Sequence, residues 1–324
     1  MKKSTRQKVF ITREIPYAAI KLLKDKAYKV IVYSKDSPIP SIDLYKNIKD
    51  ADAVISLLSD RFDASVLDKM KNCKIIANYA VGYNNIDVEY ARKKNIIVTN
   101  TPDVLTDSTA DLTMALVLAC ARRIIEAEKF IKAGKFKGWK PDLFQGVQLK
   151  NKIFGILGGG RIGTAVAIRV KAFGAKIIYF SRRNSIQIED SAGAKKVSLD
   201  MLLKTSDFIS IHLPLTEKTY HLLNKEKLAL IKRASILINT ARGEVIDEKI
   251  LVKLLKQKKI GYAGLDVFEN EPDINPELLK LENVIVLPHI GSATVEARTE
   301  MALLAAKNII AVLSGKGAIT PVQR

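Results

Sequence analysis

Short runs of β-branched and aliphatic residues recur along the chain, separated by longer stretches whose apolar positions repeat at helical spacing. The first series covers Val9–Thr12, Val30–Tyr33, Ala53–Leu58, Ile75–Asn78 and Ile96–Thr99. A polar, glycine-containing stretch, Gly134–Gly146, follows. The second series covers Ile153–Leu157, Ile177–Phe180, Phe208–Leu213, Ser235–Asn239, Gly264–Val267 and Val284–Leu287. Such runs, alternating with helical patterns, predict parallel sheets covered on both faces, so two α/β units are expected one after the other. Between them Leu112, Ala115, Leu116, Ala119 and Arg123 predict one long helix reaching about Lys132, capped by Asp107 or Ser108. Thr294–Leu313 predicts a last helix, with Gly315 as its stop signal.

Composition narrows the class of protein without naming its chemistry. At 324 residues and 48% hydrophobic content the chain can bury two cores. The segment MKKSTRQKVFITREI is charged but lacks the apolar run of an export signal, and Met114–Ala121, the longest apolar stretch, is too short to cross a bilayer. A soluble, cytoplasmic protein without membrane attachment is expected. The two cysteines, Cys73 and Cys120, stand in apolar surroundings outside any CxxC spacing, so inert core thiols and no metal are expected. The net charge of +19 comes from lysines spread over the whole length without interleaved aromatic residues. That distribution reads as a solvated lysine-rich surface rather than a nucleic-acid site.

The first chemical signal is Gly158-Gly-Gly160-Arg-Ile-Gly163, directly after the Ile153–Leu157 strand and directly before the helical stretch Thr164–Ala172. Gly158 permits a tight turn, Gly160 lets backbone amides approach a phosphate, and Gly163 lets the helix sit close to the sheet. The helix N-terminus adds partial positive charge, so this loop is read as holding the pyrophosphate of a nicotinamide dinucleotide. An NAD-binding chain would place a carboxylate after the next strand, on the ribose hydroxyls. Here that strand ends in Ser181-Arg182-Arg183, with no carboxylate before Glu189. A hydroxyl and two guanidinium groups suit a 2′-phosphate, so NADP(H) is favoured and NAD(H) remains possible.

Hydride transfer to a keto acid needs a cation for the acid group and a proton donor for the oxygen. Of three histidines, His212 lies inside a strand run and His221 in a polar stretch, so structural or surface roles are expected for both. His289 instead follows Val284–Pro288 at a strand's carboxyl end, where α/β sheets place ligands. Arg242 follows another strand end, beside Gly243, and its fork suits a carboxylate. Asp266, Glu269 or Glu271 can orient His289, and spacing alone does not choose among them.

The stretches LGGGRIGTAVAIRVKAFGAKIIYF, DFISIHLPLTEKTYHLLNKEKL, INTARGEVID, AGLDVFENEP and LPHIGSAT together resemble the D-isomer-specific 2-hydroxyacid dehydrogenase family over nearly the whole chain. The resemblance implies a catalytic set of Arg242, Glu271 and His289. It also implies that the Val81 and Gly82 amides receive the substrate carboxylate, with Leu57 beside the substrate. Arg161, Ile162, Leu213, Pro214, Thr219, Thr240, Ala241, Ser292 and Thr109 are implied to face the cofactor, and Asp266 its carboxamide region. Trp139 looks like the tryptophan that glyoxylate and hydroxypyruvate reductases lend to a partner subunit's active site, and the resemblance implies a homodimer through the long helix after Ser108. Those reductases are the subgroup most resembled, through ANYAVGYNNID, NTPDVLTDSTAD, the Ser-Arg-Arg strand end and LPHIGSAT. The implied substrate is a small 2-oxo acid; 2-ketogluconate reductase, phosphoglycerate dehydrogenase and a dinucleotide-sensing corepressor are the alternatives. Gly159 departs from the bulkier apolar residue usual in the family and is expected to loosen the turn. The implied fold is a Rossmann-type, doubly wound cofactor domain, residues 102–291, inserted into a smaller flavodoxin-like α/β domain, residues 1–101 completed by 292–324.

Overall fold

The computed structural model describes residues 6–322, and the chain divides into two compact units, Met1–Leu105 with Ala293–Arg324, and Thr106–Ser292. In the first unit β1 (Lys8–Ile11), β2 (Lys29–Val32), β3 (Ala53–Ser56), β4 (Ile75–Asn78) and β5 (Ile97–Thr99) form one parallel sheet in the order β2-β1-β3-β4-β5. Phe10, Val54, Ile76 and Val98 pack on one face with Leu44, Ile48 and Leu67. On this sheet also lies the helix Val295–Leu313, against β3 and β4, so the chain's last helix joins its first strands. The Thr294 hydroxyl caps that helix by accepting the Ala297 N–H, and Gly315, at φ +79°, ends it as expected.

The second unit holds β6 (Ile153–Leu157), β7 (Lys176–Phe180), β8 (Lys195–Lys196), β9 (Phe208–Ile211), β10 (Ile236–Asn239), β11 (Tyr262–Leu265) and β12 (Val284–Val286). All are parallel, in the order β12-β11-β10-β9-β6-β7-β8. The chain winds outward in one direction from β6 to β8 and in the other from β9 to β12. The reversal between β6 and β9 is the switch point where a doubly wound sheet receives its ligand. Alternation explains why these strands read as unbroken apolar runs: Ile236 and Ile238 enter one core layer and Leu237 the opposite one.

Two expectations need correction. The long helix is two helices, Thr106–Arg122 and Ile124–Lys132, broken at Arg123 in the left-handed region at φ +54°. Returning chain at Gly146 and Val147 forces the break: the Val147 N–H takes the Ala121 carbonyl at 2.9 Å, while the Arg123 fork turns to both carboxylate oxygens of Glu126. The cap expectation also fails, because the helix already begins at Thr106. Asp107 instead accepts from Arg169 at 2.9 Å. The two-residue β8 gave no apolar signal, both its residues being exposed lysines. Burial pushes the Cys73 and Cys120 thiols up to about 12, which leaves them inert.

Candidate active site

Gly158 follows β6 at φ +111°, and a Cβ there would stand 2.5 Å from the His212 carbonyl oxygen. A Cβ on Gly163 would stand 2.0 Å from the Gly158 carbonyl oxygen. Both positions therefore admit only glycine. Gly160 differs: a Cβ there would meet nothing within 4 Å, so the space above it is open. Gly160 is also the N-cap of the helix Arg161–Ala172, and no side chain caps that end. Open space over uncapped helix amides fits a dinucleotide pyrophosphate. Ile162 packs its side chain on the core, leaving the loop backbone to face outward.

After β7, Arg182 and Arg183 are exposed, and neither has a hydrogen-bond or ion-pair partner among the described residues. Glu189, the first carboxylate after β7, is engaged by the Tyr179 hydroxyl. Tyr179 also accepts the Ser185 N–H at 3.0 Å, and the Ser185 hydroxyl donates to the Gly159 carbonyl at 2.7 Å. This corrects the expectation for Gly159. A Cβ there would already sit 3.1 Å from the Tyr179 ring and 3.2 Å from Ser185, so the turn is braced rather than loosened.

Other residues implied for the cofactor lie along the carboxyl ends of the same sheet. Thr219 closes the turn after Leu213 and Pro214, its hydroxyl donating to the Pro214 carbonyl at 2.6 Å. Thr240 is buried with its hydroxyl 2.9 Å from that of Thr113, which donates to the carbonyl of buried Thr109. Asp266 is buried and accepts the Ile290 and Gly291 N–H groups at 2.7 and 2.8 Å. Burial raises its pKa, and those two amides together with His289 oppose the rise. Asp266 thus pins the turn that carries His289 and leads to Ser292. His289 itself stands in the left-handed region at φ +54°, a strained conformation for a residue with a Cβ.

Arg242, Glu271 and His289 come together at this edge. Asn239, fully buried at the end of β10, accepts the Ala241 N–H at 3.0 Å and donates to the Arg242 carbonyl at 2.8 Å, fixing the arginine's backbone. The Arg242 Nη1 donates to the Ala241 carbonyl at 2.6 Å. Burial pulls the guanidinium's pKa down while Glu271 and Glu244 oppose the fall, and the group keeps its charge. One oxygen of Glu271 accepts the Phe268 N–H at 3.0 Å, and the other accepts His289 Nδ1–H at 2.8 Å. Burial would raise the Glu271 pKa, but the His289 bond and charge, the Phe268 amide and Arg242 hold it below its ordinary value. With Nδ1 held, Nε2 is the ring atom left without a partner among the described residues.

Geometry settles the choice among the three carboxylates. Asp266 serves the His289 turn, Glu269 lies 2.8 Å from His221 Nε2, and Glu271 takes His289. His212 has Nε2 2.7 Å from the Ser210 hydroxyl, and burial pushes its pKa down to about 3, so it stays neutral. Sequence reasoning missed Asn239 and Tyr179. A lone asparagine closing the apolar run Ile236–Asn239 was the available signal for the first.

In the first unit, the loop after β4 is held by its carbonyls. The Asn100 side-chain amide donates to the Val81 carbonyl and that of Asn78 to the Gly82 carbonyl, each at 2.8 Å. The Val81 and Gly82 N–H groups have no partner among the described residues. Leu57 is fixed at the end of β3 by its N–H to Asp60 at 2.7 Å and its carbonyl to Asn85 at 3.1 Å. In the second unit, Trp139 is 83% exposed.

A doubly wound sheet with an open glycine loop at its switch point, and an arginine and a carboxylate-held histidine at strand ends, defines a dinucleotide-dependent oxidoreductase. Residues 114–291 match the family described as D-isomer specific 2-hydroxyacid dehydrogenase, NAD binding domain. The chain is 51% identical to a glyoxylate reductase from Thermococcus litoralis over 95% of its own length and 94% of that protein. Among solved structures it is similar to a glyoxylate reductase from Paecilomyes thermophila, with TM-score 0.88, 32% identity and 98% of each chain covered. It is also similar to an NADPH-dependent glyoxylate/hydroxypyruvate reductase from Sinorhizobium meliloti, solved with NADP and malonate, with TM-score 0.86, 31% identity, and 98% and 97% of the two chains covered. The chain belongs to the D-isomer-specific 2-hydroxyacid dehydrogenase family and is an NAD(P)-dependent oxidoreductase. No helix among the described residues is long and apolar enough to cross a membrane.

Proposed function

We propose that this enzyme reduces a small 2-oxo acid, glyoxylate or hydroxypyruvate, to the corresponding 2-hydroxy acid with NADPH as the preferred reductant. The observation that carries the reading is the Glu271–His289 pair, 2.8 Å across, with the charge of Arg242 acting on the same carboxylate. When bound, the dinucleotide supplies the hydride. Arg242 holds the substrate carboxylate and draws electron density from the carbonyl. In the first unit, the Val81 and Gly82 amides, without a partner among the described residues, are donors of the kind that suits a carboxylate. His289 gives its Nε2 proton to the carbonyl oxygen, and Glu271, on Nδ1, stabilises the imidazolium before that transfer. His289 is then recharged by a proton from water, so one hydride and one proton are consumed in each turnover.

Exposed, unpartnered Arg182 and Arg183 support the cofactor preference, and Glu189, the first carboxylate after β7, is already engaged by the Tyr179 hydroxyl. The reading also calls for a homodimer. The helix Ile124–Lys132 buries none of its residues, and it exposes Ile124, Ile125 and Ile131 in the same stretch as Phe136 and Trp139. Initial rates with NADPH and NADH against glyoxylate, hydroxypyruvate, 2-ketogluconate and 3-phosphohydroxypyruvate test the reading. Robust turnover of either of the first two is expected, with Arg182→Ala weakening NADPH about tenfold and leaving NADH unchanged. Turnover confined to the last two acids, or an unaltered NADPH preference in the variant, overturns the corresponding part.

A further inference from the structure

Arg242 and Glu271 sit on separate loops of the second unit, and a second histidine–carboxylate pair ties those loops together. Glu269 lies two residues before Glu271, and three bonds engage it. Its N–H donates to Glu248 Oε2 at 3.1 Å, its Oε2 accepts the Glu248 N–H at 3.2 Å, and its Oε1 accepts His221 Nε2–H at 2.8 Å. The His221 N–H in turn donates to the Glu244 carbonyl at 2.8 Å, two residues beyond Arg242. Between these bonds the two loops touch backbone to backbone. A Cβ on Gly243 would stand 1.9 Å from the Phe268 carbonyl carbon and 2.4 Å from the Glu269 nitrogen.

We infer that Glu269, braced by His221 and Glu248, is a positioning residue that holds the Glu271 loop in register with the Arg242 loop and so maintains the Glu271–His289 bond. The arrangement is costly in isolation, since two carboxylates share one reciprocal bracket and Glu248 is buried. Burial, together with the Glu269 charge, raises the Glu248 pKa against the backbone bond that lowers it. His221 supplies the compensating donor, with its ring stacked on Tyr220 at 4.2 Å and its backbone in the left-handed region at φ +45°. The bracket restrains Phe268 as well, whose N–H holds the other oxygen of Glu271. A catalytic group displaced by about 1 Å loses on the order of 100-fold in rate, so a brace outside the reacting atoms can carry a large share of kcat.

The inference rests on the proposed reaction for its kinetic consequence but not for its structural one, and the test separates the two. In Glu269→Ala the kcat for glyoxylate should fall about 10- to 100-fold with the dinucleotide Kd unchanged, while Glu269→Gln, which keeps an acceptor, should recover to within about fivefold of wild type. Independently of any substrate, ¹⁵N–¹H NMR should show the His289 Nδ1–H, protected from solvent exchange in wild type by its bond to Glu271, losing that protection in Glu269→Ala, because a slipped Glu271 no longer accepts it. His221→Gln, a milder break, should lower the protection by less and covers the case in which Glu269→Ala does not fold. Unchanged His289 Nδ1–H protection in a folded variant overturns the inference. Wild-type enzyme that turns over no 2-oxo acid overturns the proposed reaction instead, and leaves the NMR result to decide on the brace.

Discussion

Two histidine–carboxylate pairs lie in one unit with nearly the same dimensions. His289–Glu271 and His221–Glu269 are each 2.8 Å across, with side chains 29% and 35% exposed in the first and 28% and 19% in the second. Their carboxylates are two residues apart on one loop. What differs is the surroundings. Glu269 places its second oxygen on a backbone amide of the neighbouring loop, and its histidine lies flat on Tyr220. Glu271 faces the charge of Arg242, and its histidine ends in an unpartnered Nε2 on a turn that Asp266 pins. A histidine–carboxylate contact therefore defines no chemistry by itself; the charge and open valence beside it do.

The sharpest way to break this comparison is to remove each ring. His289→Ala should lower kcat about 100- to 10,000-fold, the range of a lost general acid, while His221→Ala should cost about tenfold or less. Equal losses in steady-state rates would erase the distinction between the pairs. Arg242→Ala removes the feature that only the first pair possesses, and kcat/KM should fall about 100- to 1,000-fold with KM raised and kcat lowered together. A rise in KM alone would confine Arg242 to binding. Glu271→Gln keeps the contact and removes the charge, so kcat should fall about 10- to 100-fold, corresponding to a charge-assisted hydrogen bond.

The smallest effect expected is on stability, where Glu271 of the first pair and Glu248, which brackets the second, should show opposite signs. The Glu271 pKa is held below the ordinary 4.5, so its contribution to stability is present above that value and disappears as pH falls through the folded-state pKa. The Glu248 pKa, in the bracket of the second pair, is raised above 4.5, so ionising it weakens the fold as pH rises through that range. Melting curves between about pH 6 and about pH 3 should show the Tm advantage of wild type over Glu271→Gln shrinking with acid. The difference between wild type and Glu248→Gln should run the other way, each change amounting to a few degrees. Parallel trends would show that the two environments do not differ in the sense described.

Much of the architecture was readable along the chain because its signals are local. Ile153–Leu157 and Ile75–Asn78 announce themselves as strands through their own apolar runs, and their bounds agree with the structure. The glycines of the cofactor loop are set by a turn and a helix start a few residues away. Signals failed where a distant segment intervened. The helix breaks at Arg123 because chain from Gly146 and Val147 reaches the Ala121 carbonyl, and β8 exists only by pairing with β7.

By itself the sequence determined the alternation of strands and helices, the dinucleotide loop and the short roster of residues able to transfer a proton or hold an acid. Each of those depends on conformational preferences within one element or its immediate flanks. Only the tertiary structure decided which carboxylate serves which histidine, that Glu271 rather than Glu269 meets His289, and that Asn239 fixes Arg242. Glu269 and Glu271 are the same residue type on one loop and differ only in what the folded sheet brings opposite them. His221 is 48 residues from its partner and His289 18 residues from its own, and contacts at such separations are set by strand order and loop crossing rather than by local preference.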